Sequence, residues 1–64
     1  MTPEEQTRQV RHRASRTRSA FALGMFAGRK DEIIAKEAAV CQISVAAFQN
    51  EMLFPGTFLS DLRV

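Results

Sequence analysis

The chain has no tryptophan or tyrosine, one cysteine, one histidine, two prolines and three glycines. Each scarcity closes a class of protein. A single cysteine cannot form an internal disulfide, and Cys41 with His12 falls short of the ligand count of an ordinary zinc site. So few glycines, with no Trp or Tyr, argue against an all-β fold, and the apolar residues recur at helical spacings instead. The longest apolar run, residues 20–27 (AFALGMFA), is far too short to span a bilayer. No hydrophobic N-terminal segment with a cleavage site is present, so the expectation is a cytoplasmic chain with no membrane contact. Catalytic signals are missing too. His12 is a lone imidazole among arginines, Cys41 has no neighbouring base in sequence, and no glycine loop could cradle a phosphate. The reading is therefore non-enzymatic, without metal or cofactor, and Met25, Met52 and the five Phe serve as core filling.

What is present is charge, unevenly placed. Residues 1–30 hold Arg8, Arg11, Arg13, Arg16, Arg18, Arg29 and Lys30 against Glu4 and Glu5, a net of +5. Residues 31–64 hold Lys36 and Arg63 against five acids, a net of −3. A chain of 64 residues is one domain at most, and its core is worth only a few kcal/mol without a staple. With disulfides and metals ruled out, self-association, most simply a homodimer, is the expected remedy.

Residues 1–28 read as a basic helix. Thr2 can cap it, Pro3 suits the first helical position, and Glu5 completes a capping box. No breaker follows until Gly24 and Gly28, so the helix is expected over 3–27 with Gly28 as its left-handed terminator. Val10, Ala14, Thr17, Phe21 and Gly24/Met25 form a thin apolar stripe at spacings of four and three. The arginines fall mostly elsewhere, while Leu23 and Phe26 make the helix end apolar nearly all round, which predicts its burial. Five arginines within residues 8–18, with no acid between them, repel one another; a polyanion relieves that repulsion and releases counterions. Arg8, Arg11, Arg13, Arg16 and Arg18 are thus candidate phosphate contacts. In composition this stretch also resembles the arginine-rich motifs of RNA-binding peptides such as the lambdoid antiterminators.

Residues 31–53 admit two readings. Ile34, Ala38, Cys41, Val45, Phe48 and Met52 form a four-three seam, so the segment could be one long helix capped by Asp31. It would then lie antiparallel to the first helix as a hairpin, and its second apolar face would bury a second copy in a four-helix bundle, the architecture of plasmid RNA-binding hairpin dimers. Alternatively it bends at residues 39–41. In that reading residues 31–50 resemble the helix-turn-helix of lac- and phage-type repressors. Ile34, Ala38, Val40, Val45 and Phe48 occupy the pattern's apolar positions, Ala35 its small position, and Ala39 the position usually held by a left-handed glycine. The resemblance implies that Cys41, Gln42, Ile43, Ala46, Ala47 and Asn50 face base edges. Gln42 and Asn50 would suit adenine, Ile43 and Ala46 a thymine methyl.

Phe54-Pro55-Gly56-Thr57 is a type II bend, and residues 54–64 form a tail that folds back over Leu23 and Phe26 or reaches a partner. The sequence thus specifies a small all-α domain. Its leading functional reading is a small, dimeric, cytoplasmic DNA-binding transcription regulator, with DNA preferred to RNA. Its arginines would hold phosphates, and Gln42, Ile43, Ala46 and Asn50 would approach the groove. A second reading is a protein-binding module, such as a phage- or plasmid-type inhibitor or assembly factor, using Ile43, Ala46, Ala47 and the 54–64 tail. A third is an RNA-binding hairpin dimer.

Overall fold

The computed structural model describes residues 2–58, which form three helices and no strand: α1 (Pro3–Ala22), α2 (Lys30–Cys41) and α3 (Val45–Leu53). The all-α expectation holds. The start of α1 follows the sequence closely. Thr2 Oγ1 accepts from the Glu5 N–H at 3.1 Å and the Glu5 carboxylate accepts from the Thr2 N–H at 3.0 Å, with Pro3 opening the helix. Those bonds from Thr2 lower the Glu5 pKa, because they favour its charged form.

The end of α1 comes five residues early. Gly24, at φ +75°, takes the left-handed position assigned above to Gly28. The Gly24 N–H donates to the Phe21 carbonyl and the Met25 N–H to the Ala20 carbonyl, closing a Schellman turn. Gly28 also has positive φ, but it belongs to the link into α2. The expected burial of this end fails with it: Leu23 and Met25 are exposed, and Phe26 is half-buried, edge-on to Phe21 at 5.4 Å. Nor does Asp31 cap α2. The cap is Arg29, whose side chain makes no capping bond and pairs instead with Glu32 at 2.9 Å, and Asp31 lies in the first turn beside Glu32, where the helix dipole favours both.

Residues 31–53 are broken, which removes the continuous-helix hairpin, but the break lies at residues 42–44 rather than 39–41. The reason is a second Schellman turn built without glycine. Gln42 takes φ +61°, its N–H donates to the Ala39 carbonyl, and the Ile43 N–H donates to the Ala38 carbonyl. Ile43 then packs against the core, the apolar contact that usually accompanies such a turn. The Gln6 amide of α1 reaches across to the Cys41 carbonyl at 2.9 Å, satisfying one of the acceptors that every helix end leaves open. Ser44 starts α3, its hydroxyl accepting from the Ala47 N–H at 3.1 Å.

These contacts fix the layout. Gln6 meets Cys41, Arg13 meets Glu37 and the Lys30 ammonium sits over the Phe21 ring, so α2 runs back along α1. Arg18 bonds the Met52 carbonyl, so α3 returns in the direction of α1. The core between them is Val10, Ala14, Ile34, Ala38, Cys41, Phe48 and Met52, with Phe21, Ile43 and Phe58 packed around it. One alanine from each of α1 and α2 lets those helices approach closely, and Phe48 fills the remaining space. Of the predicted seam only Val45 escapes burial, because the break turns it outward. After α3, the Pro55-Gly56 bend forms as expected, with the Thr57 N–H on the Phe54 carbonyl. Phe58 returns to the core while Leu23 stays uncovered; Leu59 and Leu62 lie outside the described residues.

Candidate nucleic-acid interface

The five arginines of α1 divide by the side of the helix they leave from. Arg13 faces α2 and its guanidinium meets the Glu37 carboxylate at 2.8 Å. Arg18 faces α3, donating from Nη1 to the Met52 carbonyl at 3.0 Å. Arg13 is thus paired with a carboxylate, whereas Arg18 is held by a neutral carbonyl and forms no ion pair among the described residues. Arg8, Arg11 and Arg16 are exposed and make no hydrogen bond or ion pair among the described residues. His12, Ser15 and Ser19 are exposed between them, so the outward face of α1 is a strip of cations and small hydroxyls.

Two open clefts flank that strip. One, of about 330 Å³, lies towards α3 and is lined by Arg11, Ser15, Arg18, Glu51, Pro55 and Gly56. The other lies towards α2, where Arg13, Arg16 and Glu37 border an apolar floor of Leu23, Met25, Phe26 and Ile33. Glu51 is a feature sequence reading missed. It is 2% exposed, and its two carboxylate oxygens accept the Gly56 and Phe58 N–H groups, each at 2.7 Å. An acid in a predicted apolar helix gives no signal that it will turn inward; only the two open N–H groups after the Pro-Gly bend hint at a use for it.

The groove-facing residues are redistributed by the displaced turn. Cys41 cannot face a base: it is fully buried, and burial raises its thiol pKa. Ile43 and Ala47 are half-buried, and Ile43 packs against the core. Gln42 is exposed at the end of α2. Ala46 and Asn50 are exposed together on the outward face of α3, and Val45, Gln49 and Leu53 complete that face. The signal in the sequence for these three is Ser44, whose N-cap sets where α3 begins and so which residues face outward. The single charge of α3, Glu51, points the other way, so its outward face is uncharged. No cluster of residues suited to hold a metal occurs among the described residues, and no helix among them is long and apolar enough to cross a membrane. No family model, curated protein or solved structure matches the chain.

Proposed function

We propose that the chain is a small DNA-binding regulator of the helix-turn-helix kind, acting as a homodimer, in which α1 supplies charge and α3 supplies recognition. The observation that carries this reading is the left-handed Gln42 between two short helices. Moving the repressor-like frame by three residues puts Gln42 at the left-handed position. Ala38 then falls at the small position, and Cys41, Ile43 and Phe48 fall at apolar ones. Glu37 and Glu51 depart from the pattern. The frame's base-facing positions become Ser44, Val45, Ala46, Gln49, Asn50 and Leu53, all of them exposed. In the unshifted frame one such position was the buried Cys41.

The chemistry of that face selects its target. Gln49 and Asn50 can each bond an adenine edge, and Val45, Ala46 and Leu53 suit thymine methyls; no Arg or Lys is placed for guanine. The preferred site is A·T-rich. Affinity comes from Arg8, Arg11, Arg16 and Arg18, which form no ion pair among the described residues, through counterion release. The test is a mobility-shift titration of A·T-rich and G·C-rich duplexes and of hairpin RNA across a range of salt. Affinity falling with salt at a slope of about −0.9 per phosphate engaged, with the A·T-rich duplex bound best, is the expected result. A flat salt dependence removes the reading, and stronger competition by RNA transfers it to the arginine-rich helix alone.

A protein-binding module is the second reading, favoured by one observation. Val45, Leu53 and Phe54 are large, apolar and exposed on and just beyond α3, at 42%, 70% and 62%. Sedimentation that shows self-association lost in Leu53→Glu, by a chain that never binds nucleic acid, selects it.

A further inference from the structure

We propose that Arg11, Ser15 and Arg18 form a seat for one phosphodiester in the cleft between α1 and the bend after α3. The proposal rests on the nucleic-acid reading and names which part of the cationic strip holds a phosphate in a defined place. The three residues leave α1 at i, i+4 and i+7, on the side of the helix that faces the Pro55-Gly56 bend. Their Cα positions span about 10 Å of helix, within which two arginine side chains can converge on one anion with the serine hydroxyl between them.

Arg18 is already oriented. Its Nη1 is tied to the Met52 carbonyl at 3.0 Å, which fixes the guanidinium without cancelling its charge, and a guanidinium has five N–H donors. Arg11, on the same wall, has no partner among the described residues. Glu51 closes the back of the cleft, and both of its oxygens are occupied by the Gly56 and Phe58 N–H groups. Its charge still counts. Two guanidiniums and one carboxylate leave a single net positive charge, which matches the one negative charge of a phosphodiester better than the two of a phosphomonoester. The other free arginines are placed differently: Arg16 shares Ser15 with a second cleft, but the other arginine there, Arg13, is paired with Glu37 and the floor is apolar, and Arg8 lies near Glu5, whose pKa it helps to lower.

Four variants of the full chain and two titrations decide the matter. Arg11→Gln is expected to weaken duplex binding about tenfold more than Arg16→Gln, the loss of a charge-assisted contact against the loss of diffuse attraction, and to reduce the salt slope by about 0.9. Ser15→Ala should follow Arg11→Gln in direction and lose more affinity than Ser19→Ala, whose hydroxyl does not line the cleft. Equal losses in Arg11→Gln and Arg16→Gln overturn the seat. Dimethyl phosphate and inorganic phosphate, titrated separately against the amide spectrum, distinguish a diester from a free phosphate. Shifts confined to Ser15, Arg18 and Gly56 with the diester, and weaker ones with inorganic phosphate, support the proposal. A stronger response to inorganic phosphate overturns it. If the chain binds no duplex, the regulator reading fails, and the diester titration judges the seat alone: localised shifts retain it and their absence overturns it.

Discussion

The outside of α1 and the outside of α3 have little in common, although both helices feed the same core. α1 buries Val10, Ala14 and Thr17, and α3 buries Phe48, Glu51 and Met52. Outward, α1 shows Arg8, Arg11, His12 and Arg16, and α3 shows Val45, Ala46, Gln49, Asn50 and Leu53. One helix displays its charges and the other folds its only charge inside. A surface of the first kind responds to any polyanion and weakens with salt, whereas a surface of the second kind discriminates by shape and hydrogen-bonding edges. One polar contact joins them at the end of α3, Arg18 on the Met52 carbonyl, and beside it Glu51 holds the bend that follows. Changes on the outside of α1 should therefore alter binding at constant stability, and changes at this junction should alter stability first.

The sharpest way to break that division is Glu51→Ala. It removes the acceptor of two backbone N–H groups and leaves a void under the bend, a cost of about 2–3 kcal/mol. For so small a core that is about half of the total stability. Urea unfolding followed by circular dichroism should show the midpoint fall accordingly. At low urea the remaining folded protein should bind duplex more tightly, because the cleft beside Arg11 and Arg18 has lost its negative charge. A loss below about 0.5 kcal/mol would mean that the buried carboxylate does not organise this end of the molecule.

The legible parts of the sequence were those where one residue type does one local job. Thr2, Pro3 and Glu5 announce a helix start, and Pro55-Gly56 announces a bend, because caps and turns draw on backbone chemistry within four residues. The four-three seams likewise named most of the core. What stayed hidden depends on residues far apart in the chain. The α2–α3 turn sits at a glutamine because Gln6, thirty-five residues before Cys41, bonds the carbonyl at the helix end, and because Ile43 finds the core there. Ala39, placed at the turn by analogy with a family that uses glycine, is an ordinary helical residue. The arginines were visible as a group, but not their division, since Arg13 and Arg18 are claimed by Glu37 and Met52 on other helices.

A pair of substitutions tests the turn directly. Gln42→Gly should stabilise the fold by up to about 1 kcal/mol, relieving the cost of a side chain in the left-handed region, less the added freedom of glycine when unfolded. The Gln6 contact survives, because it is made to the backbone. Ala39→Gly should destabilise by about 1 kcal/mol, as glycine does within a helix. Opposite signs place the turn at Gln42, and the reverse order would restore the earlier register and return Gln42 and Ile43 to the groove. Neither substitution touches the outside of α1, so the salt slope for duplex binding should stay as it was in both.

The smallest effect is the most telling about the arginines. Arg13 and Glu37 are about one-third and one-quarter exposed, so water screens their attraction, and a double-mutant cycle with Arg13→Gln and Glu37→Gln should give a coupling of about 0.2–1 kcal/mol. Binding is where Arg13 separates from Arg11. Both carry the same charge on the same helix, two residues apart. A strip that attracts polyanions by total charge alone would lose similar affinity from either. If geometry decides, Arg13→Gln leaves the salt slope near its original value while Arg11→Gln lowers it, because Arg13 already points at α2 and shares its charge with a carboxylate. Equal slopes in the two variants would mean that the fold merely carries a cationic helix and adds nothing to how it meets its target.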